Sequence, residues 1–85
     1  MPEISRFFGI VIAMYHREHP PAHFHARYGS RKGTVRIEDG YVEGNFPPRV
    51  RSLLLEWWDL HREELAEDWR LAQERKQVKP IPPLE

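Results

Sequence analysis

The chain has 85 residues, the length of one small domain. Lysine and arginine together number 13, as do aspartate and glutamate, so no global field favours nucleic acid or a membrane surface. Cysteine is absent, which excludes disulfides and thiol chemistry and fits a reducing compartment. Because we find no leader pattern and no apolar run of membrane-spanning length, we expect a cytoplasmic protein without a membrane partner.

The first predicted element is one strand over residues 4–15, which are apolar except for Ser5 and Arg6. From Gly9 onward, both alternating sets of side chains are apolar. This pattern is typical of a strand that is buried on both faces. A glycine inside such a run indicates a bulge or a close backbone approach.

Residues 19–29, H-P-P-A-H-F-H-A-R-Y-G, hold three of the five histidines of the chain. The double proline disfavours a helix before it, so the chain should reach the following residues in an extended conformation. We predict a strand over residues 23–28, in which His23, His25 and Arg27 share one face and the apolar residues share the other. The two imidazoles would then project together, roughly 7 Å apart.

This spacing, H-x3-H-x-H, can supply three nitrogens to one divalent metal ion such as zinc and leave a position open for water. The predicted ligands are His19, folded back over the prolines, with His23 and His25. Glu18 is the one carboxylate close to them in the sequence. Two other interpretations stay open: local hydrogen bonding, and acid–base catalysis or recognition of an anionic partner.

The next residues predict an antiparallel meander. Residues 32–38 alternate as a half-buried strand, after a turn at residues 29–31. The pair Asp39-Gly40 predicts a two-residue hairpin, and residues 41–43 form a further short strand. The cations around the first turn are Arg27, Arg31, Lys32 and Arg36. Together they predict a patch for nucleic acid or another anion, with a solvated hairpin surface as the alternative.

Pro47-Pro48 opens the helical half, with Asn45 as a candidate cap. A helical stripe follows, made of Val50, Leu53, Leu54, Trp57, Trp58, His61, Leu65, Trp69 and Ala72. One helix over residues 50–75 would be about 39 Å long, which is long for so small a domain. Either it breaks near His61, or its far end packs on a second copy in a homodimer formed through the helical half. We expect His61 in the core or an interface, or close to the histidine cluster.

We therefore predict one α+β domain over residues 1–85. Its sheet half (1–45) is an antiparallel three- to four-stranded meander, and its helical half (46–76) has one long or two shorter helices packed on one sheet face. The proline-rich tail (77–85) lies across the body, reaches a partner or stays loosely ordered.

Several catalytic motifs are absent. The sequence has no phosphate-binding glycine loop, no G-x-S-x-G and no paired carboxylates of the glycosidase kind. Removal of Met1 would leave the amine of Pro2 as a candidate base, but the βαβ pattern of proline-based tautomerases is missing.

Three blocks of the sequence carry a resemblance to a known family. They are P-x-I-S-R-F-x-G-I at residues 2–10, H-x-P-x-H-F-H with Y-G at residues 19–29, and L-E-W at residues 55–57 with His61 and Trp69. The chain resembles a family of small bacterial proteins catalogued as domain of unknown function 4160. The resemblance implies a component of a toxin–antitoxin-like or regulatory pair, but no established catalytic residues.

Three hypotheses about function follow. The first is a member of such a pair, acting through a partner protein from the paired gene or through nucleic acid. The second is a metal-dependent hydrolase or nuclease that uses the histidine cluster. The third is a structural domain in which the histidines only make local hydrogen bonds.

Overall fold

The computed structural model describes residues 3–85, so the amine of Pro2 lies outside the described residues. The elements are β1 (Glu3–Phe7), β2 (Ile10–Ala13), β3 (His23–Tyr28), β4 (Arg31–Arg36), β5 (Val42–Gly44), α1 (Pro48–Leu60) and α2 (Arg62–Gln73). The strands follow one another across a single sheet in chain order, and every neighbouring pair is antiparallel. The predicted α+β meander is confirmed, with five strands instead of three or four.

The extra strand comes from the first apolar run, where the prediction of a single strand over residues 4–15 was wrong. The chain reverses at Phe8 and Gly9, whose φ angles are 49° and 82°, and β1 pairs with β2. Two successive positive φ angles are typical of a tight hairpin turn, which usually has Asn-Gly. Phenylalanine gives no such signal, so the reversal was hidden within an unbroken apolar sequence.

The two predicted faces of β3 are confirmed. Phe24 and Ala26 are buried against the helices. On the other side of the sheet, which we call the outer face, lie His23, His25 and Arg27. Val11 and Ala13 are the register partners of Arg27 and His25, so they lie on the outer face too, and yet they are buried. β2 is thus buried on both sides, as its sequence predicted.

The connection from β4 to β5 is longer than the predicted two-residue turn. The strands end at Arg36 and resume at Val42, and residues 37–41 form the loop. Within it, the N–H of Arg36 donates to the carbonyl oxygen of Tyr41 and the N–H of Gly40 donates to that of Arg36. The turn signal of Asp39-Gly40 therefore located the reversal but not its length.

The helical half contains two helices separated at His61, whose φ of −123° and ψ of 29° are not helical. Its N–H still donates to the carbonyl oxygens of Trp57 and Trp58. The first helix begins at Pro48 after Pro47, and Asn45 is not its cap. With this break, the helix length no longer argues for a homodimer, which stays a prediction. No helix of residues 3–85 is long and apolar enough to span a bilayer.

The proline-rich tail lies across the body. Val78, Ile81 and Leu84 are buried in the core shared by the sheet and the helices. The N–H of Ile81 donates to the carbonyl oxygen of Ile4 at 2.8 Å, and the indole N–H of Trp57 donates to that of Pro82 at 2.9 Å. The tail therefore closes the core at the side of β1.

Candidate metal centre

Two histidines and one glutamate meet at the outer face of the sheet. Nε2 of His25 lies 2.8 and 3.0 Å from the two carboxylate oxygens of Glu18, and Nε2 of His23 lies 3.5 Å from one of them. The three residues can each offer one ligand atom, all within 4.8 Å of one another. Ligands of a tetrahedral zinc ion lie about 2.0–2.2 Å from it, hence about 3.4 Å apart. The measured separations bracket this value.

The sequence positions the histidines directly, because alternation along β3 puts both on one face. The position of Glu18 depends on the loop before β3. The N–H of Arg17, whose φ of 57° is left-handed, donates to the carbonyl oxygen of Ala72 at 3.3 Å. The side-chain amide of Gln73 donates to the carbonyl oxygen of Glu18 at 3.1 Å. The end of α2 thus holds the loop so that the carboxylate faces the imidazoles.

The protonation of His23 is constrained by its backbone neighbour. Its Nδ1 lies 2.8 Å from the carbonyl oxygen of Pro21. Because a carbonyl oxygen only accepts, Nδ1 must carry the ring proton when the imidazole is neutral. Nε2 then directs a lone pair toward the carboxylate of Glu18. A lone pair and a carboxylate oxygen repel each other unless a cation lies between them, so this position suits a second proton or a metal ion.

Aromatic rings support the cluster on both sides. The ring of Tyr15 meets that of His25 edge-on at a centroid distance of 4.6 Å, and the ring of Trp69 lies 5.4 Å from that of His23. The side chains of His23, Glu18 and His25 are 19%, 25% and 31% exposed, respectively. The centre is therefore held in place by packing and yet open to solvent from one side.

The predicted ligand His19 is not a member of this cluster. It is exposed and lies with His23 beside a neighbouring depression of the outer face. His61 is not part of the cluster either. Its Nδ1 forms a hydrogen bond with the carboxylate of Glu64, and its ring packs against that of Trp57. The side chain that meets the two imidazoles is instead Glu18, the carboxylate that the sequence had marked as close by.

The four predicted basic residues are divided by the sheet. Arg27 and Lys32 are direct partners across β3 and β4 on the outer face, and both are exposed. Neither has an ion pair with any of residues 3–85. Arg36 shares this face, but Asp39 accepts two hydrogen bonds from its guanidinium, which lowers the pKa of that carboxyl. Arg31 is the register partner of Tyr28 and points to the opposite side.

A groove of about 360 Å³ runs beside the cluster on the outer face. Its lining residues include Val11, Ala13, Tyr15, His25, Arg27 and Lys32. The floor is apolar, two cations line it, and one of the cluster histidines forms part of its wall. The sequence analysis did not predict this groove, because its lining comes from β2, β3 and β4, and the pairing of these strands brings the residues together.

The comparison with protein families can now be placed beside this geometry. Residues 9–70 match the model of a family described as a domain of unknown function (DUF4160). The match covers more than half of the chain, so the protein belongs to this family, as the sequence blocks predicted. The matched range contains the whole cluster and the groove. The searches of curated proteins and of solved structures gave no match.

Proposed function

We propose that the protein binds one divalent metal ion through Glu18, His23 and His25 and hydrolyses a substrate on the outer face of the sheet. The observation that carries this proposal is the convergence of Glu18, His23 and His25, whose ligand atoms all lie within 4.8 Å of one another. The hydrogen bond from Nδ1 of His23 to a backbone carbonyl is also the contact that orients metal-binding histidines in proteins.

Two imidazoles and one carboxylate suit zinc and related divalent ions. Three protein ligands leave a fourth position for water, whose pKa falls to about 7 on zinc. A metal ion held by Glu18, His23 and His25 would supply an activated water for hydrolysis, in which the leaving oxygen of the cleaved bond would take up a proton from solvent. For the metal to bind Nε2 of His25, the ring proton must lie on Nδ1 instead. Protons compete with the metal for all three ligands, so metal affinity should fall in acid.

Metal binding by untagged protein tests the proposal. After dialysis against excess zinc and then against buffer, we expect close to one zinc per chain in the wild type by elemental analysis. Glu18→Gln and His23→Ala should each retain far less, because each removes a ligand. Substitution by cobalt(II) should give visible absorption bands in the wild type that are absent in both variants.

His19→Ala is the matched control, because it removes an exposed histidine of the same loop that lies outside the cluster. We expect it to keep the metal. Zinc uptake by the wild type no greater than that by a Glu18→Gln/His23→Ala double variant would overturn the proposal, provided that circular dichroism shows both proteins folded. Loss of metal in His19→Ala would instead favour the ligand set His19, His23 and His25.

A second candidate function is membership of a toxin–antitoxin-like or regulatory pair through contact with a partner protein, as the family resemblance implies. The groove on the outer face supports it, since Val11, Ala13 and Tyr15 line an apolar depression there that is open to solvent. A metal-dependent hydrolase can itself be one member of such a pair, so the two functions are compatible.

Co-expression with the product of the adjacent gene tests this second function. We expect the two proteins to co-elute in size-exclusion chromatography and expect Thr34→Glu, at a partly buried position of the groove lining, to separate them. Ser52→Glu, a similar change at an exposed position of α1, should leave the complex intact. Separate elution of the two wild-type proteins would count against contact with that partner.

A further inference from the structure

We infer that the groove beside the metal centre binds single-stranded nucleic acid, with the phosphate backbone on Arg27 and Lys32 and a base on the apolar floor. This assigns a substrate class to the proposed hydrolase and therefore rests on the proposed function, although the binding itself needs no metal. Three features of the groove support it.

The first feature is the pair of cations. Arg27 and Lys32 face each other directly across β3 and β4, where like charges destabilise a sheet. Neither makes an ion pair within residues 3–85, whereas Arg6, Arg36 and Arg70 each make at least one. The hydrogen bond from Arg6 lowers the pKa of the Glu3 carboxyl, and the charge of Arg27 contributes to this shift without forming an ion pair. An anion bound between the two side chains would relieve their repulsion. A phosphate is the anion that arginine and lysine bind most commonly in nucleic-acid interfaces.

The second feature is the floor. Val11 is 8% and Ala13 is 4% exposed, and the ring of Tyr15 borders them. Flat apolar surfaces and aromatic rings next to a positive groove are the elements that bind unstacked bases of single strands. The volume of about 360 Å³ is at the small end of ligand pockets and suits one nucleotide unit rather than a folded protein segment.

The third feature is the position relative to the metal centre. His25 and Arg27 point the same way from β3 and are two residues apart, roughly 7 Å along the strand. A phosphate held by Arg27 and Lys32 therefore places the next part of the strand at His25 and Glu18. A duplex would keep its bases stacked and could not place one on the floor.

The balanced charge of the whole chain limits the affinity, because no long-range field assists binding. We expect a dissociation constant in the range of about 1–100 μM at physiological salt. Two phosphate contacts on a single strand should give a slope of about −1.4 for the logarithm of the binding constant against the logarithm of the salt concentration.

Fluorescence anisotropy with a fluorescein-labelled ten-nucleotide oligouridylate tests the inference, in EDTA and in zinc. Arg27→Ala/Lys32→Ala should weaken binding at least tenfold in both conditions. Arg49→Ala/Arg51→Ala removes two exposed cations from α1 and is the matched control. We expect it to stay within about twofold of the wild type, which separates the groove from a general loss of charge.

Equal binding by the groove variant and the wild type would overturn the inference, as would no binding by the wild type at 100 μM. Equal or stronger binding of an acidic peptide, or of duplex RNA of the same length, would also overturn it. Equal or stronger binding of the acidic peptide would point to an acidic partner protein. Together with the metal analysis, the measurement in EDTA separates the two proposals. If the protein binds the oligonucleotide but takes up no metal, the proposed hydrolase function is rejected. If it takes up metal but does not bind the oligonucleotide, only the nucleic-acid inference is rejected.

Discussion

The two faces of β3 serve different purposes within six residues. Phe24 and Ala26 are 0% and 2% exposed and belong to the core beneath the helices. The alternating residues His23, His25 and Arg27 lie on the outer face, at the candidate metal centre and the groove. Neighbouring substitutions in this strand should therefore have separable effects. We expect changes at the even-numbered positions to lower stability, and changes at the odd-numbered positions to affect the proposed metal and nucleic-acid binding.

The largest effect on stability is expected for Phe24→Ala. The ring of Phe24 packs edge-on against Trp57 at a centroid distance of 5.5 Å, and the side chain is fully buried. Its truncation should lower the free energy of unfolding by about 3–5 kcal/mol in urea titrations. His25→Ala, at the next residue, should change it by less than about 1 kcal/mol. Similar losses of unfolding free energy in the two variants would contradict the difference between the two faces of β3.

A smaller effect on stability is expected for Ile81→Ala, which tests whether the proline-rich tail contributes to the core. Ile81 is 4% exposed, and its backbone bonds Ile4 at the edge of the sheet. Because the tail can relax more than the centre of the core, we expect a loss of about 2 kcal/mol, at the low end for such a truncation. Pro80→Ala, at an exposed tail position, should have little effect. An unchanged midpoint for Ile81→Ala would mean that the tail contributes nothing to the core.

The smallest effect is expected at Asp68, a carboxylate on the helical side. It is 1% exposed, one oxygen accepts the N–H of Lys79, and the other has no partner within residues 3–85. Burial raises the pKa of Asp68, and the negative charges of Glu67 and Glu64 raise it further. The backbone N–H and the ammonium group of Lys79 act in the opposite direction. An acid with a raised folded-state pKa stabilises the fold fully below its unfolded pKa of about 3.9, and this stability is lost as pH rises through the folded pKa.

Asp68→Asn keeps one oxygen as acceptor and removes the buried charge. We therefore expect it to be more stable than the wild type at pH 7, on the order of 1 kcal/mol, and the difference to shrink toward pH 4. Urea titrations at the two pH values measure this, with the exposed Asp59→Asn as control. A less stable variant at pH 7 would show that the charge–dipole contact with Lys79 outweighs the cost of burial.

Much of the fold could be predicted because local patterns determine it. The bounds of β3, its two faces and the turn after it follow from the prolines, the alternation and Gly29-Ser30. The hairpin at Phe8-Gly9 could not be predicted, because phenylalanine with a positive φ angle leaves no mark in an apolar run. The break at His61 was one of two alternatives, since neither glycine nor proline marks it in the sequence.

The candidate site divides in the same way. Alternation alone placed His23 and His25 side by side on an exposed face, because the period of a strand is a local property. The third residue beside them is Glu18, whereas His19, the predicted third ligand, lies at the neighbouring depression. The conformation of that loop depends on hydrogen bonds to Ala72 and Gln73, more than fifty residues away in the chain. Local sequence patterns therefore show which side chains are available for chemistry. Which of them meet depends on the tertiary fold, because long-range hydrogen bonds orient the loop.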